Sequence, residues 1–225
     1  MHTIAATERR LFTPNEFFRM AELGIIPPAG FELIDGELVE KNGRGTPRLW
    51  TYEDYVQLGQ AGILAPEERT ELINGEIVSM TPIGPLHVSV VDRITALLGE
   101  WAFGRAILRV QSPLRFNDIQ SPYPDLVLLR MRDDFYASRE AGPWDALLIV
   151  EVADTSLAHD REKAQTYARA AIPEYWLVDV NRSTVSVHLH PVGGEYTRVT
   201  DYRRGERWTS PGMDGREIRA EQVLG

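Results

Sequence analysis

Apolar and polar positions fall into a pattern that occurs twice near the start of the chain. Residues 10–40 read RLFTPNEFFRMAELGIIPPAGFELIDGELVE, and residues 48–79 read RLWTYEDYVQLGQAGILAPEERTELINGEIVS. Arg10-Leu11 and Thr13 match Arg48-Leu49 and Thr51, Gly24-Ile25 matches Gly62-Ile63, and Glu32-Leu33-Ile34 matches Glu71-Leu72-Ile73 after a shift of one residue. Thr13 with Glu16, and Thr51 with Asp54, have the spacing of a capping box, and Pro14 suits a first helical turn. Each copy therefore predicts a short helix that ends at Gly24 or Gly62. Two alternating strands follow, joined by Asp35-Gly36 or Asn74-Gly75, the dipeptides of a tight hairpin. Two copies are too few for a solenoid.

From Pro85 the periodicity changes. Val90, Ile94, Leu97, Leu98 and Trp101 share one face at helical spacing. Strands are expected at Ile107–Val110, Leu126–Leu129 and Leu147–Val152, and the last of these, LLIVEV, reads as a strand buried on both faces. A second helix is expected over Ala158–Ala171, bounded by Pro173. Strands at Tyr175–Val180, Thr184–His190 and Tyr196–Tyr202 come next, and the turn-rich tail from Gly205 gives no clear element. The order predicts an α/β (α+β) fold with a mixed central sheet flanked by helices. The chain divides into a helix–hairpin extension over 1–45 and a main domain over 46–225, with Lys41–Arg48 as a Gly-rich basic linker. An isolated hairpin is marginal in water, so the extension is expected to pack on the sheet edge or on a neighbouring subunit.

Composition narrows the chemistry. The 225 residues include 43% hydrophobic and 25% charged positions, those of a folded chain with a sizeable core, and contain no cysteine. Disulfides, thiolate zinc sites, iron–sulfur clusters and a cysteine nucleophile are thereby excluded. No apolar run is long enough to span a membrane. Met1–Arg10 lacks the apolar core of a secretory signal, which leaves a cytoplasmic protein as the expectation. Twenty-four Lys and Arg against 33 Asp and Glu give a formal charge of −9, which argues against a broad basic surface for nucleic acid.

Glu151 stands inside LLIVEV, where an isolated ionised carboxylate would cost several kcal/mol. It must be protonated, paired or bound to a metal, and an ion pair with an arginine is one solution. Asp125 enters the strand at Leu126 just after Pro122-Tyr123-Pro124. Alone it reads as a turn aspartate, but two acids on neighbouring strands also suit a hard divalent cation. Lys163 lies on the following helix, one turn beyond Asp160, where its ordinary role is a solvated charge.

SPYPDLVLL followed by LLIVEVADTSLAHDREKAQTYARAAIPEYWLVDV resembles the Uma-two family of restriction-endonuclease-like proteins, within the PD-(D/E)XK nuclease superfamily. The resemblance rests on Pro124-Asp125, on Glu151-Val152-Ala153, on RTELINGEIVSMTPIGPLH at 69–87, and on the order of these segments across about 48–225. It implies a restriction-endonuclease-like sheet and hydrolysis of phosphodiester bonds in DNA, often by a homodimer. It implies that Asp125, Glu151 and the backbone carbonyl of Val152 hold Mg²⁺ or Mn²⁺. The superfamily lysine normally follows the second acid by two residues, where Ala153 stands, so the resemblance moves that role to Lys163. It also implies support for the site from Glu71 and His87. Glu71 could equally be a hairpin residue, as Glu32 in the first copy is, and His87 a capping or packing histidine.

Other residues read as structural. His188 and His190 share a strand face without a third ligand and are expected to be exposed. Tyr175 and Trp176 suit the core better than a base-stacking platform, and Asp179 suits a cap on the turn at Asn181. A scaffold retained for binding or regulation, without catalysis, is the alternative function. A metal-dependent phosphatase would lack the usual phosphate loop.

Overall fold

The computed structural model describes residues 9–41, 44–80, 84–153 and 157–225, with the side chains of 157–162 left aside; Pro82-Ile83 and the Asp160 side chain thus lie outside the described residues. The chain packs as two units, one of Thr7–Thr81 with Phe116–Pro122, the other of Pro82–Arg115 with Tyr123–Gly225.

Both helix–hairpin segments belong to the first unit. They comprise α1 (Pro14–Glu22), β1 (Phe31–Ile34) and β2 (Glu37–Glu40), then α2 (Tyr52–Gln60), β3 (Thr70–Ile73) and β4 (Glu76–Ser79). Thr13 and Thr51 each close a capping box, with Glu16 and Asp54. Asp35-Gly36 and Asn74-Gly75 all have positive φ, as a primed two-residue turn requires. At both turns the glycine also faces a leucine: a Cβ on Gly36 would come within 2.8 Å of Leu11, and one on Gly75 within 3.0 Å of Leu49.

The segments are bound to each other by contacts that repeat about a pseudo-two-fold axis. The Arg10 amide donates to the Ile77 carbonyl, and the Arg48 amide to the Leu38 carbonyl, both at 2.8 Å. Arg9 bridges Val78, and Pro47 bridges Val39. The guanidinium of Arg10 reaches the Ile63 carbonyl (3.1 Å) and that of Arg48 the Ile25 carbonyl (3.4 Å). Each also pairs with its own capping acid, Glu16 or Asp54, and lies 4.8 Å over its own ring, Phe12 or Trp50. Those two rings meet near the axis, 5.3 Å apart. The symmetry breaks at β3, because Ser121 pairs with Leu72 and the Gly75 amide donates to Ile119.

Arg10 and the Thr13 cap hold the Glu16 carboxyl down to about 2 from its ordinary 4.5. A depressed acid contributes stability above the unfolded value and loses it as the pH falls through the folded one. Glu16→Gln is therefore expected to cost about 1–2 kcal/mol at neutral pH. That deficit, read from denaturant midpoints, should shrink between pH 4.5 and about 2.

The second unit is built on a six-stranded sheet ordered β10-β9-β8-β7-β6-β5. Its elements are α3 (Pro85–Ala102), β5 (Ala106–Val110), β6 (Leu126–Arg130), β7 (Ala146–Ala153), α4 (Leu157–Arg169), β8 (Glu174–Asp179), β9 (Thr184–Val192) and β10 (Glu195–Tyr202). Only β7 and β8, joined through α4, run parallel. Side chains alternate between the two faces. Val150, Val152, Trp176 and Val178 enter one core with Val90, Ile94, Leu98 and Trp101 of α3. On the other face Tyr167 of α4 packs against Tyr175, the rings tilted at 53° with centroids 5.0 Å apart.

The tail from Gly205 is ordered. It forms a hairpin of β11 (Arg207–Ser210) and β12 (Arg216–Arg219), then α5 (Ala220–Leu224), and delivers Trp208, Met213, Ile218 and Val223 to the α3-side core. Strands of only four residues, one of them with three charges, give little signal for it. Glu174, fully buried, fastens this tail: its carboxylate accepts from Trp176 Nε1 (2.7 Å), Ser210 Oγ (2.8 Å) and the Gly212 amide (2.7 Å). Burial pushes its pKa up against those three donors. A Cβ on Gly212 would meet the Leu147 carbonyl at 2.6 Å. Gly212→Ala is expected to cost about 1–3 kcal/mol by overpacking, read as a lower melting temperature.

Candidate active site

β7 carries Glu151 on the face opposite the Val150 and Val152 side chains, toward α4. The antiparallel register sets Leu126 of β6 against Val150, so Asp125, one position before β6, arrives at the end of β7. There the Val152 amide donates to Asp125 Oδ2 at 2.9 Å. The other oxygen, Oδ1, lies 3.0 Å from Nε2 of His87, in the first turn of α3. Asp125, Glu151 and His87 are all buried.

α4 supplies the rest. Lys163 and Tyr167, four residues apart, share a helical face. Lys163 Nζ lies 3.3 Å from Glu151 Oε1, and the Tyr167 hydroxyl donates to the same oxygen. The long lysine stem lets a helix residue reach a strand end. The carboxylate that LLIVEV buries is thus paired with a lysine, and both partners are under a tenth exposed. Tyr167 was not singled out in the sequence, although its spacing from Lys163 marks it.

The candidate donors are hard oxygens: two carboxylates on adjacent strands and the carbonyl of Val152, the residue directly after Glu151. Such a set fits Mg²⁺ or Mn²⁺ and not a soft metal. Among the described residues no group of three or more His, Cys, Asp or Glu is arranged to hold an ion. Glu71 is buried on β3, in register with Val78, and belongs to the other unit; its counterpart Glu32 is exposed.

The remaining candidates are structural. Tyr175 and Trp176 are fully buried. Asp179 Oδ1 accepts from the amides of Asn181 (3.0 Å) and Arg182 (2.9 Å), capping that turn. His190 is exposed, but His188 is not, contrary to expectation: its ring packs on Tyr175 at 5.1 Å and Tyr196 at 5.5 Å. Burial lowers its pKa to about 4.

The family described as Uma2, putative restriction endonuclease, matches residues 52–221. The chain belongs to the Uma2 family. The Uma2 match takes in α2 through β12, with every residue of the buried cluster, and leaves the first helix–hairpin outside it. A similar solved structure is that of a putative nuclease belonging to DUF820 from Anabaena variabilis ATCC 29413. It is 13% identical, with a TM-score of 0.62 over 77% of this chain and 97% of that one, and it shares the fold. The type IIG restriction endonuclease BpuSI aligns with 50% of this chain and 12% of its own, at 16% identity and a TM-score of 0.31. No significant sequence match is found among curated proteins. No described helix is long and apolar enough to cross a membrane.

Proposed function

We propose that the chain is a metal-dependent endonuclease that hydrolyses phosphodiester bonds in DNA. The observation that carries this reading is that Asp125 and Glu151 are both buried on adjacent strands, Asp125 held by the Val152 amide next to Glu151 and Glu151 paired with Lys163 of α4. Asp125 and Glu151, with the Val152 carbonyl, would hold Mg²⁺ or Mn²⁺. When bound, such an ion supplies a water of lowered pKa and positive charge at the scissile phosphate.

The chain's own residues do the positioning. His87 fixes Asp125 through Oδ1 while the Val152 amide fixes Oδ2. Tyr167 fixes Glu151, and Lys163 places a cation where the phosphate gains charge in the transition state. Glu71 is assigned a supporting role on the family resemblance. The formal charge of −9 favours a second reading, a nuclease scaffold that binds without cutting.

Incubation with supercoiled plasmid and with single-stranded DNA, in Mg²⁺, Mn²⁺ or chelator, separates the two. Cleavage that appears with either ion and vanishes in chelator is the expected result. No cleavage under any condition, together with a melting temperature unmoved by millimolar ion, would leave the binding reading in its place.

A further inference from the structure

We infer that the first helix–hairpin is a built-in partner, seated on the second where the same segment of another copy of this chain would otherwise bind. The contacts joining the two are reciprocal, as in an isologous dimer, where residue i of one side meets j of the other and j meets i. The segment before each helix bridges the other hairpin in antiparallel fashion: Arg9-Arg10 to β4, and Pro47-Arg48 to β2. Each arginine caps the helix end of the other copy, Arg10 at Ile63 and Arg48 at Ile25. The contacting positions carry matching chemistry in both copies: Arg10 and Arg48, Phe12 and Trp50, Leu38 and Ile77, Val39 and Val78.

The second copy therefore presents to the first a surface that also accepts a second copy of itself. An open β4 edge would be a row of unpaired backbone groups that invites association. Here Arg9 and Arg10 close it within one chain. The family match begins at residue 52, so the segment that closes this edge lies outside the matched span. A homodimer of this chain must use another surface. The inference is independent of the nuclease reading.

The absence of cysteine gives a clean test by disulfide trapping in the full chain. Arg9→Cys with Val78→Cys reports the internal pairing, because these residues bridge each other. It should oxidise within one chain of 25.4 kDa. Pro47→Cys with Val78→Cys reports the homotypic pairing, because those residues belong to different bridges here but would meet between two second copies.

Arg10→Glu with Gly36→Val displaces the first copy, setting a third negative charge beside Glu16 and Glu68 and a Cβ against Leu11. In that background the 9–78 link should disappear. The 47–78 pair, monomeric before, should give a covalent dimer of twice the mass. A 47–78 dimer without the displacing substitutions, or a displaced chain that stays monomeric, would overturn the inference. So would persistence of the 9–78 link. Global loss of the near-ultraviolet signal would overturn it too, by making the first copy an integral part of the fold.

Discussion

Asp125→Asn is expected to reduce divalent-dependent DNA cleavage by at least about 10³-fold, the rate equivalent of several kcal/mol of lost transition-state stabilisation. The asparagine keeps an oxygen to accept from the Val152 amide and an amide to face His87, so the end of β7 stays in place. Stability in chelator should change by no more than about 1 kcal/mol. The loss would then belong to the negative charge and not to the fold. Thermal shifts with Mg²⁺ or Mn²⁺ check the same point: stabilisation of the parent chain by millimolar ion should be absent in the variant. Cleavage undiminished in Asp125→Asn would remove Asp125 from the site.

Lys163→Met should be damaging in a different way. It takes the ammonium away from the buried Glu151 carboxylate, and removing one member of a buried ion pair costs about 3–5 kcal/mol. For a chain of this size the melting temperature should fall by roughly 10 °C. Glu151→Gln added to Lys163→Met removes the buried negative charge as well, so the double variant should regain most of that stability. Cleavage should remain lost in both. If the single substitution leaves the melting temperature unmoved, the Lys163–Glu151 pair contributes nothing to the fold.

Much of this architecture was legible because local signals agreed with burial. LLIVEV announced a strand covered on both faces, and Asp-Gly and Asn-Gly announced two hairpins with their registers. The duplicated motif announced the capping boxes. The burial of Glu151 was legible through one physical question, what a carboxylate does inside a buried strand; an arginine was the ion-pair partner expected for it, and a lysine of the next helix takes that place. Contacts distant in sequence were not legible. Nothing in Glu174 says that it will bind a turn at Gly212, and nothing in His188 says that two tyrosines will cover it. The exchange of backbone contacts between the two copies was hidden as well, because repetition in a sequence does not say which copy pairs with which.

The stretch Phe116–Pro122 gives the architecture a consequence for how the chain can be made and cut. It is encoded between β5 and β6, yet it supplies Ser121 to the edge of β3 and Ile119 to the turn at Gly75. During synthesis the helix–hairpin unit therefore waits for residues emerging some forty positions after its own last strand, and those arrive only once α3 and β5 have been made. A break in the chain near Thr81 would give a front piece lacking the segment that completes it and a back piece carrying that segment as an orphan. For this protein, the order in which parts leave the ribosome is not the order in which they can be completed.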